Sequence, residues 1–463
     1  MKFMAIAKCA LSVCGAFVVV FAPGEGIGRG KAAAECDVCV IGGGVAGVAA
    51  ALQAGRTGAR TVLVERSAVV GGNMTSGGVN WPGLFHAWGR QVIDGCGWEL
   101  VTNCVALSGE KLPDLTKDTG NEHWRNQIRV NAPLWAALAE EALAKAGVAI
   151  RYHTAPSSAT PCASGWDLVL SADGEYTELN ARVIVDATGN GTAAALCGAK
   201  RLKDPSGRQP GSFTYLVNPN TDESTLDWPA IEAAAEQSIA EGRLFRHDIA
   251  RGVRFLVHES KVVLGGFADG PSHGTTIANY VDGADNSTAA LRTETNLRGR
   301  ASMLRVLRFL RSCPGLENTT LVSMADEVGV RETWRVEGEY VMTGEDYVSG
   351  RRFEDSIAFA FYPIDIHSAD GGVSPKHLTE GTVATVPLRA LIAKGPRNVL
   401  IAGRCISSDR EANSALRVQA TCMATGQAAG AAAALAALHG VTPDHLDLAE
   451  LKKLLRTHRA IAP

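Results

Sequence analysis

A glycine turn between an apolar strand and an alanine-rich helix limits the fold of this chain more than any other feature. The apolar run from Cys36 to Ile41 leads into Gly42, Gly44 and Gly47 at the spacing Gly-x-Gly-x-x-Gly, and an unbroken Ala-rich segment follows. Strand, tight turn and helix are expected, in the arrangement that binds the pyrophosphate of a dinucleotide. Gly42 permits the turn, Gly44 lets a pyrophosphate approach the backbone, and Gly47 lets the helix lie close to its strand. Free amides at the helix start face the anion. The next strand, Thr61 to Glu65, ends in a carboxylate where a ribose diol needs an acceptor. A carboxylate there repels a ribose phosphate, so the ligand has an unphosphorylated ADP half, as FAD and NAD do.

The chain has 463 residues, more than one hydrophobic core usually serves, and two domains are expected. A net charge of -3 with both signs mixed gives no basis for a nucleic-acid partner. Specificity must then come from a pocket. Residues 3 to 22 are apolar apart from Lys8, follow Lys2, and lead through a Gly-rich linker to Ala32, Ala33 and Ala34. This reads as a secretory signal peptide, which makes the protein secreted or periplasmic. The apolar run nearly reaches spanning length, so a retained membrane anchor is the alternative, and only then is a membrane a partner. Residues 1–34 are set apart from the fold. Cysteines at 36, 39, 197, 405 and 422 lie in stretches that read as buried and are taken as core residues. Cys96 and Cys104 are placed at the flanks of a short helix, where they could pair or react.

Along the chain, the cluster from Gly71 to Gly78 reads as a loop pressed against something flat or charged, and Asn80 to His86 as a stiff aromatic wall. Asn131 caps a helix with Pro133 in its first turn and Gly147 at its end. A hairpin from Trp166 to Leu179 precedes a second apolar strand, Ala181 to Asp186, which ends in the turn Ala187, Thr188, Gly189. This second glycine turn distinguishes a flavoprotein from a simple NAD domain. From Lys200 the character changes. Strands are expected over Ser212 to Val217, Arg254 to Val257 and Val262 to Phe267, a helix within Asp222 to Gly242, and a long helix over Ser287 to Ser312. The arginines of the long helix (292, 298, 305, 308, 311) are read as a solvated face, with recognition of a substrate anion as the alternative. A buried strand, Arg397 to Gly403, and the helix Val418 to Ala437 then restore the first unit. The expected architecture is α/β: a Rossmann-like domain of parallel sheet flanked by helices, built from 35–200 and 376–463, with a β-rich α+β substrate domain inserted at 201–375.

Four blocks in this order resemble the FAD-dependent oxidoreductase family and, more distantly, the fumarate-reductase branch of the glutathione-reductase-type fold. They are the opening turn with Glu65, the block from Gly71 to Ile93, the turn from Asp186 to Gly191, and the C-terminal run. That run comprises Gly329 to Tyr340, Ser349 to Phe353, Tyr362 to His367, and Gly403 to Gln419. The resemblance implies that Gly42, Gly44 and Gly47 hold the pyrophosphate of FAD and Glu65 the adenosine ribose, with Arg66 beside it. It places Gly72, Asn73 and Met74 by the pyrophosphate, ribityl chain and flavin, and closes Ala187, Thr188 and Gly189 over the dinucleotide. Gly403 and Arg404 come to the ribityl end, and Leu416, Arg417 and Val418 open a helix aimed at the flavin's pyrimidine edge. A helix N-terminus there stabilises the negative charge of a reduced flavin.

For hydride transfer the site also needs an acid or base and a group that orients the substrate. His367 is the candidate proton-exchanging group. Arg331 and Glu332 are a clamp and carboxylate, or else a structural ion pair, and Tyr362 is the fourth catalytic candidate. His86 is a further candidate, for covalent flavin attachment. The histidines lack metal-ligand spacing, and neither a Gly-x-Ser-x-Gly elbow nor a Gly-Lys-Ser/Thr phosphate loop is present. The expected activity is oxidoreduction by FAD of a small organic substrate between the two domains, with arginines hinting at an acidic one. The electron acceptor is open. The alternatives are a secreted protein that holds flavin without turnover, and an NAD-only dehydrogenase, which leaves Ala187 to Gly189 unexplained.

Overall fold

A computed structural model describes residues 34–463, apart from 121, 206, 261–278, 369–371 and 374. The apolar N-terminal segment and the expected strand Val262 to Phe267 lie outside the described residues.

The main sheet has five parallel strands. Ala149–Arg151 pairs with Thr61–Val64, which pairs with Ala34–Ile41, then Glu175–Asp186, then Val399–Ile401. The expected hairpin and the second apolar strand prove to be one element. Glu175–Asp186 pairs antiparallel with Gly165–Ala172 in its first half, and its last three residues pair with Val399–Ile401 along the same edge. Ile41 stands level with Val64 and Asp186, and Asp186 with Ile401. All four strands therefore finish at one edge, and the residues that follow them, Gly42, Glu65, Ala187 and Ala402, line up along it. In an open parallel sheet this carboxyl edge is where ligands bind.

Behind the edge, helix Val45–Arg56 packs against helix Gln419–His439. Small residues make the contact possible, because a Cβ on Gly426 or Gly430 would stand 2.1 Å from the carbonyl oxygen of Ala46 or Ala50. Gln419–His439 is long and apolar enough to cross a membrane, yet 89% of its apolar stretch is buried inside the protein, where it serves as a core helix.

A separate core is drawn from Phe213 to Val330. Around it stand helices Trp228–Ala240, Val253–Ser260 and Ala289–Arg311 and the antiparallel strands Tyr215–Asn218 and Thr320–Met324. Met342, Tyr347, Ile357 and Ile364 return to the main core. Arg254 to Val257 is helical rather than a strand, because Val253, Leu256 and Val257 bury one helical face at the spacing i, i+3, i+4.

The cysteines at 36, 39, 197, 405 and 422 are buried, as expected. Cys36 and Cys39 stand in a Cys-x-x-Cys spacing, but the hydrogen bond between them and then burial push the Cys39 thiol well up, which suppresses thiolate chemistry. Cys96 and Cys104 do not flank a helix. Both are buried on one, Cys96–Leu107, two turns apart and so about 12 Å along its axis, too far to pair.

Candidate functional site

A cleft enclosing about 1500 Å³, open solvent at its mouth included, runs along the carboxyl edge of the sheet. Its floor is the opening turn. Gly42 has φ 102°, and a Cβ there would stand 2.6 Å from the Ala187 carbonyl, while one on Gly47 would stand 1.8 Å from the Gly42 oxygen. Gly44 differs. Its backbone is extended, with φ -63° and ψ 175°, and a Cβ would meet nothing within 4 Å, since it would project into the cleft. Packing demands the first and third glycines, and only a ligand demands the middle one.

Glu65 closes one end. Its Oε2 accepts from the Gly43 amide at 2.5 Å, and its Oε1 from the Ser67 amide and hydroxyl at 2.8 and 2.7 Å. Arg66 lines the same end and forms a two-fold ion pair with Glu327 at 2.8 and 2.9 Å. Arg292 enters beside them from the long helix, and its Nε has no hydrogen-bond partner among the described residues. Of the other arginines of that helix, Arg298, Arg308 and Arg311 are exposed, as a solvated face requires, whereas Arg305 pairs with the buried Asp248 at 2.7 Å.

The second turn is held by Asp186, which is fully buried and which burial pushes up. Its carboxyl accepts from the Thr188 amide and hydroxyl at 2.9 and 2.7 Å and from the Ala194 amide at 2.7 Å. The motif's first residue is thus the clasp of the Ala187–Gly189 turn. Arg404 crosses the cleft wall and donates to the Gly189 carbonyl at 3.0 Å, the Val330 carbonyl at 2.6 Å and Asn190 Oδ1 at 2.8 Å. Burial pushes it down to about 10, and no carboxylate pairs with it among the described residues.

At the far end the cleft reaches Arg331, Arg417 and Gln419. Arg331 donates to the Pro210 carbonyl at 2.5 Å, lies 5.0 Å over the Tyr280 ring, and makes no ion pair among the described residues. Burial, with repulsion from Arg417 next, pushes it down to about 10. Arg417 Nε and Gln419 Oε1 are buried with no hydrogen-bond partner among the described residues. Behind these arginines, His367 Nε2 lies 2.8 Å from Asp365 Oδ2, and its Nδ1 2.8 Å from the Tyr280 hydroxyl. Burial, then repulsion from Arg331, pushes His367 down to about 4 against the pull of Asp365. Burial raises the Asp365 carboxyl, but the His367 contact and the two arginines outweigh it and bring it to about 2.

Arg331, His367 and Tyr362 are therefore brought into one cluster, with Tyr362 held by Gln127 at 2.9 Å. Glu332 is not. It turns away to Arg410 at 3.1 Å and the Gln209 amide at 2.6 Å, so its ion pair is with Arg410 and not with Arg331 as the sequence suggested. Gly72, Asn73 and Gly403 line the cleft, whereas Met74 is buried in the main core. Leu416 does not open the C-terminal helix. It closes the preceding one, Arg410–Leu416, and the long helix starts at Gln419 with Val418 as its cap. The Ala420 amide of its first turn donates to the Pro82 carbonyl at 2.7 Å, so that end is already partly satisfied by protein. His86 lies in another, smaller pocket, in edge contact with Trp98. Tyr280 and Gln209 carry no motif signal and emerge only from the packing.

A profile of the family described as FAD dependent oxidoreductase matches residues 37–455. A stretch of 46 residues is 52% identical to the alpha subunit of sarcosine oxidase from Rhizobium meliloti (strain 1021), covering 10% of this chain and 5% of that one. Among solved structures, a geranylgeranyl bacteriochlorophyll reductase-like protein from Thermoplasma acidophilum is similar over 92% of this chain and 84% of its own, at 13% identity and a TM-score of 0.41. The OxyS anhydrotetracycline hydroxylase from Streptomyces rimosus is similar over 39% and 38%, at 17% identity and a TM-score of 0.30.

Proposed function

Because the chain belongs to the FAD dependent oxidoreductase family, we propose that it oxidises or reduces a small organic acid held at the Arg331 end of the cleft. FAD, when bound, supplies the two-electron chemistry. The cleft suits that cofactor on two counts. Gly44 leaves open the space a side chain would fill, and Arg417 Nε and Gln419 Oε1 present unpartnered polar atoms at the other end. Between them Gly42, Gly44 and Gly72 would hold the pyrophosphate, Glu65 the ribose, and Ala187 to Gly189 with Gly403 and Arg404 the middle of the dinucleotide.

The observation that carries the acidic substrate is Arg331, a buried guanidinium in the cleft wall without a carboxylate partner among the described residues. Arg417 stands near enough to repel it. Two cations so placed favour an anion between them, and a planar carboxylate matches the guanidinium fork. His367 completes the site. It is neutral at pH 7, so one ring nitrogen remains able to accept a proton.

An anaerobic screen of the FAD-loaded protein against carboxylates, amines, sugars and phenols tests this reading. Carboxylates are expected to bleach the flavin. Bleaching by another class alone would overturn the assignment.

A further inference from the structure

We propose that Tyr280, His367 and Asp365 form a proton relay with the Tyr280 hydroxyl as its reactive end, an assignment that rests on the proposed function only for the class of substrate. The spacing of the three groups supports it. Asp365 takes the His367 Nε2 side at 2.8 Å, and a carboxylate is an acceptor, so in the neutral ring Nε2 carries the hydrogen. Nδ1 then keeps its lone pair, and the Tyr280 hydroxyl, 2.8 Å away, donates to it. Hydroxyl, imidazole and carboxylate in this order are the arrangement by which a base and its orienting acid activate an O–H group.

The main chain of His367 is held as well. The His367 amide donates to Gln209 Oε1 at 3.0 Å, and Gln209 Nε2 reaches Glu332 Oε2 at 3.2 Å. Glu332, which turns away from the cleft, thereby helps to hold the main chain that carries the ring, through Gln209. The relay meets the cleft at Arg331, whose guanidinium both lines the wall and covers the Tyr280 ring. Tyr280, His367 and Asp365 lie behind that wall rather than in it, and on this proposal Arg331 is the group that brings a bound carboxylate against the phenol.

The step balances within these groups. A proton leaves an O–H or N–H of the substrate for the Tyr280 oxygen while the proton of Tyr280 passes to His367 Nδ1. The imidazolium is left against the Asp365 carboxylate and the substrate anion beside Arg331 and Arg417. No electrons are exchanged in this step. Among the described residues, the charged and titratable groups facing His367 are Asp365, Tyr280, Arg331 and Arg417, and the two cations oppose its protonation while the carboxylate favours it.

Nitrogen-15 NMR of histidine-labelled, FAD-loaded protein at neutral pH reads the relay without turnover. One imidazole, identified by its loss in His367→Gln, is expected to be protonated at Nε2 and bare at Nδ1. A ring protonated at Nδ1 overturns the proposal. In Tyr280→Phe, anaerobic flavin reduction by a carboxylate that bleaches the wild type is expected to slow about 100-fold with KM unchanged and to lose its solvent deuterium isotope effect. An unchanged rate and isotope effect also overturn it. If Tyr280→Phe does not fold, the tautomer of the wild type decides alone. If no carboxylate bleaches the flavin, the substrate reading fails while the NMR result still judges the relay.

Discussion

Gly44 shows most plainly how one residue can be required by a ligand and not by the fold. Its extended backbone suits alanine, and the added methyl would touch no protein atom. Gly44→Ala is therefore expected to leave the apoprotein as stable as wild type or more so, by up to about 1 kcal/mol, since alanine loses less freedom on folding. FAD affinity, measured by quenching of flavin fluorescence, should fall by at least tenfold. Gly47→Ala is the control, and it should not fold, because its Cβ would overlap the Gly42 oxygen. His367 yields a second prediction. Its pKa is about 4 folded against 6.5 unfolded, so between those values the unfolded chain binds more protons and stability falls as pH drops. By pH 4 the loss should approach about 3 kcal/mol relative to His367→Gln, read from urea midpoints. At this scale the glycines, Glu65, Ala187 to Gly189 and Arg331 were legible because motif spacing or a charge in an apolar run marks them. Tyr280 was not. It sits in no motif or spacing pattern and reaches the site only through tertiary packing.

Between elements, the tightest requirement is the crossing of Val45–Arg56 and Gln419–His439. Alanine and glycine let the two backbones meet, and the same helices carry Ala46, Gln419 and Cys422 to the cleft. Gly430→Ala would drive a methyl into the Ala50 carbonyl and should cost about 3 kcal/mol by denaturant titration, with loss of bound flavin following from the displaced helix ends. The sequence disclosed the long regular elements well. Asn131 caps its helix by accepting from the Leu134 amide, and the long helix spans Ala289–Arg311, both close to expectation. Short apolar runs misled. Arg254 to Val257 is too brief for its apolar residues to separate a strand from a helical face, and Leu416 was read across a break that Arg417 and Val418 make between two helices. The merger of the hairpin with the second parallel strand was hidden because strand length does not reveal which edge a neighbour takes.

At the scale of the whole molecule, the cleft belongs to distant stretches of chain at once. Arg404 ties them together, with donors to Gly189 of the second turn, to Val330 of the second core, and to Asn190. The family explains why the pyrophosphate end is so plainly written in the sequence: any FAD site needs the same backbone approach. The substrate end is written in tertiary contacts, in Arg331 over the Tyr280 ring and in the cluster of His367, Asp365 and Arg417, and motif spacing alone does not disclose their mutual distances.

The most direct test of that substrate end compares one bleaching carboxylate with its own carboxamide, as kcat/KM for anaerobic flavin reduction in the wild type and in Arg331→Ala. Wild type should prefer the acid by about 100-fold, as expected when a buried cation loses its anion, and the preference should shrink to within about tenfold in the variant. Equal rates for acid and amide in the wild type, or the same preference in both proteins, would contradict recognition of a carboxylate by Arg331.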